Sequence, residues 1–200
     1  MADIRTWDDF IAVCGICRAC ALSETRTNVV VWRGSVQAPL MIIGEGPGAD
    51  EDQQGRPFVG AAGRLLDLGL DAFALTGELC HIANIVKCRP PGNRVPSEDE
   101  ARACRPLLAA QFRFVRPRII LLLGATAFHC FTGLTEGITK ARGKWIEKSG
   151  YLILPTLHPA YILRNNRERI HLWNDLASVR AKLEELGLAP SLDSHPEFLH

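Results

Sequence analysis

Leu40-Met41-Ile42-Ile43-Gly44-Glu45-Gly46-Pro47-Gly48 sets an apolar run directly against a glycine-rich turn. Four large apolar residues without polar alternation read as a strand buried on both faces, as inside a parallel sheet. The turn formers end it at once. Ile119–Leu123 repeats the pattern ahead of Gly124, residues 82–86 form a further run, and Trp145-Ile146 and residues 151–154 read as two strands around Ser149-Gly150.

Helical spacing fills the intervals. Trp7, Phe10, Ile11 and Cys14 predict a short first helix, and residues 60–70 return to that period through Ala61, Leu65 and Leu68. Ser97 and Glu100 form a capping box for a helix reaching about Val115, which Arg116-Pro117 breaks. Residues 125–131 predict another helix. The last carries Leu172, Leu176, Val179, Leu183 and Leu186 at spacings of three and four, with Gly187 as its C-cap. Strands alternating with helices predict a three-layer α/β domain whose functional loops follow the strands' C-terminal ends. Residues 44–48, 84–88 and 155–158 occupy such ends.

The chain has 200 residues, 47% hydrophobic, with a formal net charge of +1. This length suits one domain over residues 1–190 with a loosely held tail at 191–200, and the balance excludes disordered and fibrous classes. A net charge near zero leaves nucleic-acid binding open, because a positive face can be cancelled elsewhere. The first nine residues carry Asp3, Asp8 and Asp9 and lack the pattern of a secretory signal, and no apolar stretch reaches the roughly 18 residues of a membrane span. The expected setting is cytoplasmic, nucleoid-associated in a bacterium, with no membrane partner.

Seven cysteines in such a chain point to ligands or buried thiols rather than disulfides. Cys17-x2-Cys20 forms one local pair, and Cys88 with Cys104 supplies a second across a Pro-rich loop and the capped helix. Four thiolates arranged so suit either a tetrahedral zinc or a four-iron four-sulfur cube, and would join the N-terminal segment to the central domain. Cys14 adds a third thiol to the first turn. If it faces the core, Cys17 and Cys20 remain the pair. Cys80 and Cys130, beside apolar stretches, read as buried small hydrophobes.

Residues 44–49 loosely satisfy the dinucleotide fingerprint G-x-G-x-x-A, although Pro47 removes a backbone donor and no acidic residue ends a second strand at the usual distance. Phe58, set among turn formers, is a core residue or a ring that stacks on a planar base. Asn84 offers the donor and acceptor that match a pyrimidine edge, or else ties strands together. His158, after an apolar strand, is a structural histidine or a donor to a developing oxyanion. Arg164, Arg167 and Arg169 add positive charge near the final helix.

The ordered set Cys17-x2-Cys20, residues 44–48 with Gly55-Arg56-Pro57-Phe58-Val59-Gly60, Asn84-Ile85-Val86-Lys87-Cys88-Arg89-Pro90-Pro91, Cys104, Arg142-Gly143-Lys144 and His158-Pro159-Ala160-Tyr161 resembles the iron-sulfur, family 4 uracil-DNA glycosylases over about residues 14–180. The resemblance implies their α/β/α sandwich, with a central, mainly parallel four-stranded sheet. It implies a 4Fe-4S cluster on Cys17, Cys20, Cys88 and Cys104. It implies hydrolysis of the N-glycosidic bond of uracil in single- or double-stranded DNA by a monomer, with abasic-site repair enzymes acting downstream. In that likeness Phe58 stacks on the extruded base, Asn84 reads its edge, His158 bonds the O2 side and backbone groups around Gly46 complete the pocket. Glu45 positions water or stabilises the sugar cation, with Asp50, Glu51 and Asp52 as the second acidic candidates.

Arg89, Arg94, Arg142, Lys144 and Arg164 are the expected DNA contacts, and residues 157–163 the segment pressing into the gap left by the base. Residues 88–96 read CRPPGNRVP, without the histidine of a related group that traps DNA covalently, so ordinary turnover is expected. The competing readings are a noncatalytic or differently selective uracil-binding relative and a dinucleotide-dependent oxidoreductase.

Overall fold

Extended backbone sends successive side chains to opposite faces. In the computed structural model, which describes residues 4–191, this divides the apolar runs between two cores. The elements in chain order are α1 (Trp7–Gly15), α2 (Leu22–Thr25), β1 (Arg33–Gly34), β2 (Leu40–Gly44), α3 (Ala49–Gln54), α4 (Ala61–Ala72) and β3 (Cys80–Asn84). There follow α5 (Glu98–Val115), β4 (Ile119–Leu123), α6 (Gly124–Thr132), α7 (Ile138–Ala141), β5 (Ile146–Lys148), β6 (Tyr151–Thr156), α8 (Pro159–Arg164) and α9 (Arg169–Glu185).

Met41, Ile43, Ile120, Leu122 and Ile153 face α1, α5 and α6, packing on Phe10, Leu107, Leu108 and Phe128. Leu40, Ile42, Leu121, Leu123 and Leu154 face α4, α8 and α9, packing on Leu65, Leu66, Ile162, Leu172 and Leu176. All residues of β2, β3 and β4 are buried, as the unbroken apolar runs require of a sheet covered on both sides.

The sheet runs β1-β3-β2-β4-β6-β5. Its four central strands are parallel, so β6 ends on the same side as β2, β3 and β4. The expected four strands are extended to six: β1 pairs antiparallel with β3 at one edge and β5 with β6 at the other. β1 escapes a pattern search because it has two residues and forms through Gly34, at φ +98°, where a Cβ would stand 2.2 Å from the Cys80 carbonyl oxygen. The third run begins two residues earlier than its apolar pattern indicated, as β3 at Cys80.

Helix ends follow the capping chemistry. The Ser97 side chain accepts from Glu100 N–H and the Glu100 carboxylate accepts from Ser97 N–H, opening α5 as expected. On α4, Leu68 is exposed while Leu65, Leu66, Gly69 and Leu70 are buried. Gly69 faces α9, and a Cβ there would meet Leu176 Cδ1 at 2.5 Å, so the missing side chain sets the helix spacing. Among the described residues no helix is long and apolar enough to cross a membrane. The tail expected at 191–200 lies, beyond Ser191, outside the described residues.

Candidate active site and cysteine cavity

A cavity of about 500 Å³ opens where the central strands end, lined among others by Glu45, Gly46, Phe58, Asn84, Gly124 and His158. The parallel sheet brings these residues together, since β2, β3, β4 and β6 all deliver their C-terminal ends to one edge. Two glycines make the room. A Cβ on Gly44 would stand 2.5 Å from Phe58 Cζ and 2.6 Å from Asn84 Oδ1, and one on Gly124 would stand 2.9 Å from His158 Cβ.

Phe58 is held at φ +56° and is 6% exposed, with its ring 5.9 Å from that of His158. Gly63 lets α4 begin against it, because a Cβ there would collide with the Phe58 carbonyl at 1.8 Å. Asn84, at the end of β3, is 1% exposed, and its Oδ1 has no hydrogen-bond partner. A buried, unpaired amide acceptor costs about 1–3 kcal/mol, a cost that a ligand N–H in this cavity would relieve.

His158 is the N-cap of α8, and its Nδ1 accepts from Ala160 N–H at 3.1 Å. That bond leaves the proton of a neutral ring on Nε2. Burial, with a smaller contribution from Arg164, lowers its pKa to about 4, so the ring is a neutral donor at pH 7. Glu45, half-buried, accepts from Thr126 Oγ1 at 2.5 Å. Thr126 sits in the first turn of α6, and nothing in the local sequence marked it.

Of the other acidic candidates, Asp50 is exposed, whereas Glu51 and Asp52 hold the loops. Glu51 accepts from the backbone N–H groups of Gly48, Val59 and Gly60, so it occupies the start of α3 where a dinucleotide phosphate would bind. Buried Asp52 accepts from Thr27 and Asn28 N–H. Glu45 and Glu51 both line the cavity, and of the two Glu45 accepts from a side-chain hydroxyl whereas Glu51 is bound by three backbone N–H groups.

Cys17, Cys20, Cys88 and Cys104 line a second, small cavity with Arg26 and Lys87. Arg26 Nη1 donates to Cys88 Sγ at 3.1 Å. Lys87 is 1% exposed and donates to the Asn84 carbonyl at 2.9 Å and to Gln111 Oε1 at 2.6 Å. Cys14 is fully buried in the α1 core and is not part of that lining, and burial pushes its thiol up to about 12. Desolvation raises Cys80 to about 11 in β3, while Cys130 is half-buried on α6.

The profile of the Uracil DNA glycosylase superfamily matches residues 31–177. A type-4 uracil-DNA glycosylase of Thermotoga maritima is 43% identical over 175 residues, covering 86% of this chain and 91% of that protein. Those of Sulfurisphaera tokodaii and Saccharolobus solfataricus are each 42% identical, over 92% and 84% of this chain and 86% and 82% of their own lengths. This chain belongs to the type-4 uracil-DNA glycosylase family. Family membership displaces the oxidoreductase reading, in agreement with the Glu51 carboxylate at the start of α3.

Of the cations expected at DNA in this type-4 chain, Arg94 and Arg164 line the pocket. Arg94 also grips Glu100 with both terminal nitrogens, at 2.8 and 2.6 Å, and with Ser97 N–H this holds the carboxyl down to about 2. Arg89 donates to Asn93 Oδ1 at 2.7 Å, and Lys144 is exposed. Arg142 is engaged inside the protein. Its guanidinium is paired with Asp175, which is 3% exposed by side chain, and also bonds the His171 carbonyl. Asp175 accepts from Thr156 Oγ1 at 2.6 Å as well, so Arg142 ties the strap before β5 to β6 and α9. In the segment after β6, Leu157 is buried whereas Tyr161 and Leu163 are exposed on α8.

Proposed function

We propose that this chain hydrolyses the N-glycosidic bond of uracil in single- or double-stranded DNA, releasing free uracil and leaving an abasic site. The observation that carries the reading is the unpaired, buried Asn84 Oδ1 beside Phe58 and His158 in one cavity. Uracil presents an N–H donor flanked by two carbonyls, and an Asn amide supplies the matching acceptor and donor. Phe58 stacks on the extruded ring and backbone groups near Gly46 close the pocket.

As the N1–C1′ bond breaks, its electron pair moves onto uracil, and Nε2–H of neutral His158 donates to the developing O2 oxyanion. Glu45, steadied by Thr126, orients water toward C1′ and accepts its proton. The uracil anion takes its proton from solvent. Arg89, Arg94, Lys144 and Arg164 are the proposed phosphate contacts, with Tyr161 and Leu163 on α8 beside the vacated stack.

Cys17, Cys20, Cys88 and Cys104 are the proposed ligands of a 4Fe-4S cluster. Four thiols from three segments around one cavity, with two cations and no carboxylate in the lining, fit a thiolate-held cluster. When bound, the cluster supplies a structural cross-link between the N-terminal segment and the loop after β3. We read the protein as a monomer of the cytoplasm that passes abasic DNA to later repair enzymes.

The deciding measurement is release of free uracil from a defined oligonucleotide, with matched thymine DNA as control. His158→Ala and Glu45→Ala should lower the rate far more than DNA affinity. Binding of uracil DNA without release, under reducing conditions, would instead support a noncatalytic relative. Anaerobically purified protein should carry about four irons and four sulfides per chain, lost in Cys17→Ser or Cys104→Ser and kept in Cys80→Ser or Cys130→Ser.

A further inference from the structure

A groove of about 1030 Å³ runs between α5, α6 and the β5–β6 turn, and shares no lining residue with the base pocket. One end is formed by residues 116–118, ahead of β4, whereas the base pocket lies at Leu123 and Gly124, past the end of the same strand. Five extended residues place these ends about 17 Å apart, so DNA seated over the base pocket leaves the far end of the groove uncovered.

Arg105, Arg113, Arg116, Arg118 and Lys148 line this groove and are all exposed, and its lining contains no Asp or Glu. Among the described residues none of the five is ion-paired with an acidic side chain. Their recorded hydrogen bonds go to carbonyls: Arg113 to Ile4, Arg116 to Arg113, and Lys148 to Thr132. Five uncompensated cations in one groove of a chain whose formal net charge is +1 is a marked local excess.

Arg116 also stands at φ +51°, where α5 ends. Glycine takes that conformation freely, and a side chain there costs roughly 1 kcal/mol. The floor is apolar. Phe112 packs on Phe131 at 5.5 Å and edge-on to Tyr151 at 5.4 Å, with Leu108 beside them. These rings engage one another and so offer hydrocarbon surface rather than free faces for stacked bases.

We propose that the groove docks an acidic peptide segment of a partner protein, in which carboxylates flank an aliphatic or aromatic side chain. Guanidinium groups on the walls pair with the carboxylates, and the aromatic floor takes the apolar side chain. Cation-rich walls alone would serve a single DNA strand equally well; the mutually packed rings and the position away from the base pocket favour the peptide.

The test is fluorescence anisotropy of the full chain with a labelled peptide alternating Asp with Phe and Leu. The same peptide with Lys for Asp, and a labelled oligothymidylate, run in parallel. Saturable, salt-sensitive binding of the acidic peptide alone is expected, weakened at least about tenfold by Arg116→Glu with Arg118→Glu and unchanged by Lys140→Glu outside the groove. Uracil release should persist in every variant. Arg105→Glu, away from the end of α5, supplies the same readout should the double change unfold the chain. No peptide binding, equal loss with Lys140→Glu, or groove-dependent binding of oligothymidylate in place of peptide would overturn the proposal.

Discussion

The backbone N–H of Ala160 donates to Nδ1 of His158 at 3.1 Å, so the bond that caps α8 also determines which ring nitrogen carries the proton. Capping and proton placement are one contact. Because burial lowers the ring's pKa to about 4, single-turnover uracil release should show no His158 limb near pH 6.5. A limb there that vanished in His158→Gln would contradict the neutral donor.

The same burial predicts a stability change. His158 and His81 both have folded pKa values of about 4, against 6.5 for the free side chain, each through desolvation first. Between those values the unfolded chain binds more protons than the folded one, so stability rises with pH across that window. The unfolding free energy from denaturant titrations should fall as pH drops from about 6.5 to about 4, by on the order of a few kcal/mol in all. The double variant His81→Gln with His158→Gln should flatten that slope.

Gly44→Ala places a methyl where Phe58 Cζ and Asn84 Oδ1 lie 2.5 and 2.6 Å away. Displacing those two groups should cut uracil release by about 10²-fold. Titration with uracil should show weakened binding, and an unchanged affinity would reject the role assigned to this glycine.

Thr126 Oγ1 donates to Glu45, which makes it a positioning residue in the proposed mechanism. Thr126→Val should lower kcat by about tenfold with little change in KM, and Thr126→Ser should restore it. An effect on KM alone would indicate a purely structural contact.

Arg142→Ala strands the Asp175 carboxylate, which only Thr156 Oγ1 would then accompany. Breaking a buried pair from one side costs about 3–5 kcal/mol, measurable by denaturant unfolding. The salt dependence of DNA binding should stay that of the parent chain, because this guanidinium is turned inward.

Much of this was legible in sequence where one residue type answers to one local rule. The runs at β2 and β4 read as doubly covered strands, and Ser97 with Glu100 marked the start of α5. That Glu45, Asn84 and His158 line one cavity follows from their places just at or beyond the ends of parallel strands, and Phe58 joins them from the loop before α4. The ion pair of Arg142 was hidden for the opposite reason: its partner, Asp175, lies 33 residues away on another helix. A basic residue in a loop looks the same in sequence whether it reaches solvent or a buried carboxylate.

By itself the sequence determined the layering and set out the cysteine spacing, since hydrophobic period, caps and spacing are short-range properties, while Glu45, Phe58, Asn84 and His158 became candidates through the resemblance of the ordered motifs. Only the tertiary structure decided that Cys14 faces the core, that Thr126 holds Glu45, that Glu51 fastens two loops, and that five cations share a groove. Those facts depend on which distant segments the parallel sheet makes neighbours. Contacts between segments far apart in the chain follow from packing the whole fold, and no local pattern encodes them.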